Sequence, residues 1–192
     1  MPYHQAPRKF ATTQDVGKYA VIFQLGYVPI GILTGLMVTL IGPILYQIAG
    51  AANDPSRNAK VHRISWRITQ TSFALTIMAF FITWFLRDWL LLWLVAEEYR
   101  DVSNFLPWVV LAGGLFASGQ VLSVKMMSEM RSQSLLQVKI GTAMLGVAAN
   151  FLGAWWYGIS GVVGALVLFS VAYLVWTMIL SLHSTNHKPV VP

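Results

Sequence analysis

Long apolar stretches separated by short clusters of charged residues dominate this chain. Stretches without any Asp, Glu, Lys or Arg lie between Lys18 and Asp54, between Arg67 and Arg87, between Asp101 and Lys125, and between Lys139 and Lys188. A helix needs about 20 apolar residues to cross the hydrocarbon core of a bilayer, and each stretch is long enough for a crossing. The pattern therefore predicts an all-α integral membrane protein.

The last apolar stretch is long enough for two crossings, and aromatic residues followed by glycines interrupt it at 155–161. Aromatic side chains favour the headgroup level of a membrane, and glycines favour turns. We therefore expect about five transmembrane helices within a domain of residues 16–183, at about 17–48, 63–86, 104–126, 134–157 and 161–183. Residues 1–15 are predicted to form an exposed N-terminal segment and residues 184–192 a tail.

Two segments do not have the length expected of a single transmembrane helix. The first predicted helix is longer than a bilayer requires and contains Pro29 and Pro43. Pro29 is expected to kink this helix, because proline removes a backbone hydrogen bond. The apolar part of residues 87–96 is too short to cross, so an interfacial turn or short helix is predicted there. A transmembrane barrel is disfavoured, because its strands alternate apolar and polar residues whereas these stretches are continuously apolar.

Composition agrees with the membrane class. The 192 residues are 56% hydrophobic and 10% charged, whereas a soluble domain carries about 25% charged residues. The absence of cysteine excludes a disulfide scaffold, a thiolate zinc site and a cysteine nucleophile. The net charge of +6 does not indicate nucleic-acid binding, because the basic residues lie at the ends of predicted helices.

The distribution of charged residues also predicts the orientation of the chain in the membrane. Basic residues are concentrated in the loops after the first and third predicted helices, whereas acidic residues gather at 88–101 on the other side. The positive-inside rule then places the loop at 57–67 and the C-terminus in the cytoplasm. The N-terminus is expected outside, an arrangement that suits a fragment preceded by further helices.

Polar side chains within the predicted helices, or at their ends, are candidates for lining a hydrophilic cavity. These candidates are Gln24, Arg67, Gln70, Gln120, Lys125 and Asn150. Polar groups are costly inside a bilayer and therefore point to function. The alternative is helix packing, in which small residues let backbones approach and polar groups bond between helices. Both interpretations stay open for the glutamines, whereas packing is favoured for Asn150 and a role at the helix end for Arg67.

Lys125 has a second interpretation. It precedes Glu129 by four residues on a helix end, a spacing that predicts a surface ion pair. His183 and His187 have the same spacing but are interpreted as part of a solvated tail rather than a metal site. No phosphate-binding loop, nucleophile elbow or zinc-binding motif is present. We therefore expect neither an enzyme nor a metal or other cofactor.

Several short motifs occur in a suggestive order. They are VGKYA at 16–20, GPILY at 42–46, EYR at 98–100 with LPW at 106–108, LFASGQ at 115–120, and NFLGA at 150–154 with GISGVVGA at 158–165. Together they resemble bacterial flippases for O-antigen and capsule repeat units, which belong to the multidrug/oligosaccharidyl-lipid/polysaccharide (MOP) superfamily. Ala96 departs from this pattern, since relatives often have glycine before the Glu-Tyr pair.

The resemblance implies a fold and a function. Such flippases have two helical lobes around a central cationic cavity, and this chain corresponds to the C-terminal lobe alone. The implied activity is translocation of a lipid-linked oligosaccharide, of the undecaprenyl-diphosphate type, across the bacterial inner membrane. Arg67 and Lys125 are the candidates for binding its diphosphate. Membrane lipids and a missing N-terminal lobe or partner chain are the other implied partners.

Three alternatives remain. A cation-coupled drug antiporter of the same superfamily would need an acid within the membrane, and the acidic residues here lie outside the predicted hydrocarbon core. A non-transporting membrane scaffold fits the small-residue faces of the helices equally well. A truncated reading frame without function is the third alternative.

Overall fold

The computed structural model describes residues 13–49, 55–94, 97–130 and 132–183. These residues form α1 (Thr13–Gly26), α2 (Val28–Ala49), α3 (Pro55–Leu94), a 3₁₀ helix (Glu97–Phe105), α4 (Leu106–Ser128) and α5 (Ser132–His183). Four helical runs are long and apolar enough to cross a membrane: Asp15–Ala49, Ala59–Leu94, Tyr99–Ser128 and Ser132–Leu182. The structure supports the predicted helical membrane class, but it gives four such runs rather than five, because the last two predicted helices follow each other directly, with only the non-helical Gly158 between them.

The first of these runs breaks at Tyr27, where α1 ends and α2 begins. Pro29 has no N–H to donate to the carbonyl of Leu25, so the helical hydrogen-bond ladder is interrupted here. The Tyr27 N–H still donates to the Phe23 carbonyl at 2.9 Å, and the Tyr27 carbonyl accepts from the Gly31 N–H at 2.9 Å. The helix is therefore interrupted at Tyr27, two residues before the proline at which the kink is predicted.

Helix α3 does not end where the sequence analysis placed its end. It continues through Arg87 to Leu94, so the separate interfacial segment predicted from residue 87 is wrong as far as residue 94, and residues 95–96 lie outside the described residues. The guanidinium carbon of Arg87 lies 5.5 Å from the Trp84 ring centroid. The Arg87 side chain thus stacks on the previous turn of α3, and the helix continues past this charge.

Helix α4 is the centre of the assembly, and its residues are largely buried. One apolar cluster forms where Ile22, Leu91 and Val109 meet, near the start of α4. A second cluster joins Leu45, Val61 and Val124 near its other end. Because 23 residues of α-helix rise about 35 Å, these clusters hold α1, α2 and α3 against opposite ends of one helix.

Helix α5 folds back on itself at Gly158, which has the non-helical angles φ 59° and ψ −133°. The residues before and after it, 132–157 and 159–183, are here called the first and second arms. In one straight helix, residues 141 and 176 would lie about 50 Å apart. A Cβ atom on Gly141 would instead lie 2.7 Å from the Trp176 ring. The arms therefore pack side by side, and the break predicted at 155–161 is confirmed.

The outer surface of the assembly is apolar. Large side chains such as Phe85, Trp93 and Val147 are 79%, 75% and 72% exposed, respectively. Soluble monomers rarely expose contiguous apolar surface on this scale. Surface of this kind fits contact with lipid hydrocarbon, where apolar side chains have no hydration penalty.

Candidate functional site

A cavity of about 470 Å³ lies between α2, α3 and α4 and is here called the lateral cavity. Aliphatic side chains from all three helices make up most of its lining. The polar lining residues are Thr34, Arg67, Thr71, Ser72 and Thr76. A volume of this size is within the range of about 300–1,000 Å³ that is typical of ligand sites.

The lateral cavity exists because α3 lies close to α4 while α2 and α3 diverge. A Cβ atom on Gly114 of α4 would overlap the side chain of Thr76 on α3. One turn further along α4, the Ser118 hydroxyl donates to Ser72 Oγ at 3.1 Å. Helices α2 and α3 instead meet near Leu45 and Val61, and the cavity opens beyond this contact.

Two of the four hydroxyl residues of the lateral cavity donate to carbonyl groups of their own helices. Thr34 Oγ1 donates to the Ile30 carbonyl at 2.6 Å, and Thr76 Oγ1 donates to the Ser72 carbonyl at 2.8 Å. Threonine commonly bonds to the carbonyl four residues earlier in membrane helices, and this leaves its methyl group on the surface. The walls therefore present methyl and aliphatic groups along most of their length.

Arg67 is the cationic group of the lateral cavity. It is exposed, and among the described residues its guanidinium has no hydrogen bond and no ion pair. On α3 it is the lining residue closest to the start of the helix, so it lies at one end of the cavity. An unpaired guanidinium beside apolar walls is an attractive partner for an anion that carries a hydrocarbon group.

A smaller cavity of about 240 Å³ lies on another side of α2 and is lined by Tyr27, Gly31, Thr34 and Gln120, among others. Tyr27, Gly31 and Thr34 share the face of the first predicted helix that also carries Gln24. The structure therefore brings most of that face together with Gln120, whereas Gln24 is exposed and lines neither cavity.

Two other candidate residues lie away from both cavities. Gln70 is exposed on α3, one turn beyond Arg67, and lines neither cavity. Asn150 is half-buried in the first arm of α5, and its Nδ2 donates to the Gly146 carbonyl at 2.9 Å. The hydrogen bond of Asn150 thus stays within its own helix rather than joining two helices.

Lys125 is fully buried and lines neither cavity. Its ammonium donates to the carbonyl and the hydroxyl of Ser181 at 3.1 Å and 2.9 Å. It also pairs with Glu129 Oε1 at 3.4 Å, and the two side chains are 0% and 10% exposed. The predicted surface ion pair is therefore a buried one, because the second arm of α5 covers this end of α4.

Sequence reasoning missed Ser181, which binds Lys125, and the hydrogen bond of Ser118 with Ser72 between α4 and α3. Ser181, Ser72 and Ser118 are hydroxyl residues in apolar helices, where an intrahelical hydrogen bond makes them inexpensive and hence common. A partial signal existed for Tyr173 and Ser123, which lie on the polar faces of their helices and bond to each other at 2.5 Å. Helical periodicity identifies the polar face of each helix, but it does not show which residues of different helices bond to each other.

Comparisons with protein-family models, with curated proteins and with solved structures find no match to this chain. Among the described residues, no group of three or more His, Cys, Asp or Glu side chains is placed to hold a metal ion. The lateral cavity and its unpaired arginine are therefore the features from which a function is inferred.

Proposed function

We propose that this chain is part of a transporter that moves lipid-linked oligosaccharides, of the undecaprenyl-diphosphate type, across a bacterial inner membrane. The observation that carries the proposal is the unpaired Arg67 at the end of an apolar cavity. The order of the flippase-like motifs over residues 16–183 supports it further. The process is noncovalent: the protein supplies charge, shape and a path through the bilayer, and no bond is made or broken.

We propose five crossings, formed by α1 with α2, by α3, by α4 and by the two arms of α5. The ends of the assembly differ in charge. Near the start of α4, Lys18 pairs with Asp101 at 2.5 Å. The region near the start of α3 carries Arg57, Lys60 and Arg63 without acidic residues between them. The positive-inside rule then places this basic end and the C-terminus in the cytoplasm.

Translocation requires a second wall opposite the polar residues of α3. Arg67, Gln70 and Thr71 are exposed on this helix, and polar groups in such positions are costly against lipid. We propose that a second lobe or partner chain faces them across a water-lined path. Rocking of the two halves would then open this path to each side of the membrane in turn.

Transport measurements test the role of Arg67 directly. Membrane vesicles that contain the protein are loaded with a fluorescent polyprenyl-diphosphate oligosaccharide, and its movement is followed with a membrane-impermeant quencher. Arg67→Gln is expected to slow translocation at least tenfold, because the diphosphate loses its charged partner, whereas Arg67→Lys retains part of the rate. Arg63→Gln removes the same charge one turn away and serves as the control. Equal rates for Arg67→Gln and the unsubstituted protein would contradict the proposal.

A membrane scaffold is the second candidate function, and the tight contact between the glycines of the α5 arms fits it as well as it fits a transporter. Access of water to the polar helix faces distinguishes a transporter from a scaffold. The chain has no cysteine, so a single introduced cysteine is labelled without background. In a transporter, Gln70→Cys and Gln120→Cys are expected to react with a membrane-impermeant maleimide.

The matched control for labelling is Leu40→Cys. The apolar side chain of Leu40 is 70% exposed, on a surface proposed to face lipid. A thiol in hydrocarbon is protonated and out of reach of a water-soluble reagent, so Leu40→Cys is expected to stay unlabelled. Equal protection at positions 40, 70 and 120 would favour the scaffold, because no water would then reach the polar faces.

A further inference from the structure

We infer that the lateral cavity binds the hydrocarbon chain of a phosphate-bearing lipid, with the phosphate at Arg67 and the chain extending toward the middle of the bilayer. The inference deepens the proposed function, on which the identity of the natural lipid rests. It assigns this cavity to the lipid part of the substrate, so that the sugar must be accommodated elsewhere.

The dimensions of the cavity fit one lipid chain in one leaflet. On α3 the lining residues extend from Arg67 to Ala79, a rise of about 18 Å along the helix axis. One leaflet contributes about 15 Å of hydrocarbon to the bilayer. Arg67 lies near the basic end of α3, where lipid headgroups are expected, so the cavity extends from headgroup depth to about the midplane.

The chemistry of the walls favours a hydrocarbon chain over a sugar. A buried sugar needs hydrogen-bond partners for its hydroxyl groups, because an unsatisfied polar group is costly away from water. Thr34 and Thr76 donate their hydroxyl protons to carbonyls of their own helices. Ser72 accepts the hydroxyl hydrogen bond of Ser118. Thr71 also lies on the lining, and apart from it and Arg67 the remaining lining residues are apolar and offer a chain dispersion contacts.

The charge of Arg67 explains why a phosphate-bearing lipid is selected. A chain that moves from the bilayer into an apolar cavity leaves one hydrocarbon environment for another, so it gains little hydrophobic free energy. Selectivity must then come from the phosphate, which a guanidinium binds through two parallel N–H donors. Among the described residues, Arg67 has no carboxylate partner that would compete for these donors.

Lipid retention by the purified full chain tests the inference. The protein is equilibrated in detergent with polyprenyl phosphate, with dodecyl phosphate or with inorganic phosphate, and bound probe is measured by native mass spectrometry. We expect retention of both chain-bearing phosphates and none of inorganic phosphate. Arg67→Gln is expected to reduce retention at least tenfold, whereas the control Arg63→Gln leaves it unchanged. Equal binding of inorganic phosphate would overturn the inference, because no chain site would then be needed.

A second pair of variants tests the chain-binding part of the cavity. Ala117 lies on the α4 wall of the lateral cavity, and Ala117→Leu is expected to reduce retention of dodecyl phosphate while Arg67 stays in place. Ala143→Leu, on an exposed position of the first arm, is the matched control. Thermal unfolding of both variants shows whether they are folded. Normal retention by a folded Ala117→Leu variant would overturn the inference.

Binding and transport can fail separately. Loss of lipid retention in Arg67→Gln and Ala117→Leu, together with oligosaccharide translocation that does not depend on Arg67, supports the lipid site and contradicts the proposed function. Translocation that depends on Arg67 without any effect of Ala117→Leu supports the proposed function and overturns the chain site. Competition by phosphatidic acid shows whether the site prefers polyprenyl phosphate or accepts lipid phosphates in general.

Discussion

Substitution of Gly161 by alanine is expected to destabilise the protein by about 1–3 kcal/mol, the usual range for overpacking a closely packed contact. The Cβ atom of an alanine at this position would overlap the backbone of Gly153 in the first arm. Backbone atoms, unlike the end of a flexible side chain, cannot turn aside. The two arms of α5 would have to separate, and the contacts of Trp176 and Phe169 with the first arm would loosen.

Gly164 provides the matched control for this prediction. It lies on the same arm as Gly161, and a Cβ atom there would meet no atom within 4 Å. Alanine is the better helix former by about 1 kcal/mol, so Gly164→Ala is expected to be neutral or stabilising. Thermal unfolding of the purified protein in detergent, followed by tryptophan fluorescence, gives both midpoints. Identical midpoints for the two variants would show that the arms do not approach closely at Gly161.

The sequence predicted the membrane class and the positions of helix breaks because both depend on local chemistry. Apolar runs of sufficient length identify the helices, and Pro29 and Gly158 mark breaks through their backbone properties alone. The continuation of α3 past Arg87 was missed because the end of an apolar run was taken as the end of a helix. Arginine is a good helix former, so a charge can mark the edge of the hydrocarbon while the helix continues beyond it.

The candidate site was predictable only in part, for a similar reason. Helical periodicity places Tyr27, Gly31 and Thr34 on one face, and the structure places that face beside a cavity with Gln120. Periodicity does not say which helices are neighbours. The pairing of α2 with α3 across the lateral cavity therefore could not be derived, nor could the burial of Lys125 by an arm more than fifty residues away along the chain.

Substitution of Lys125 by methionine is expected to have the other large effect on stability. Methionine nearly matches the length of the side chain but cannot donate to Ser181 or pair with Glu129, which loses one of its interactions. Removal of one member of a buried ion pair costs about 3–5 kcal/mol when the remaining charge is left without a partner. Because Glu129 keeps another interaction, a loss toward the lower end of this range is expected. Lys139→Met is the control, since this lysine is exposed on the first arm.

A double-mutant cycle distinguishes the buried pair from a general effect of removing charge. If Lys125 and Glu129 interact as the structure shows, combining Lys125→Met with Glu129→Gln is expected to cost less than the sum of the single substitutions. Additive losses in the unfolding midpoint would contradict the pair.

Lipid retention adds an independent measurement: because Lys125 lines neither cavity, the folded fraction of Lys125→Met is expected to bind dodecyl phosphate normally. Lost retention in a folded variant would instead make Lys125 part of the phosphate site, as the flippase resemblance implied. Stability and binding together therefore decide whether this lysine holds the second arm to α4 or contacts the transported lipid.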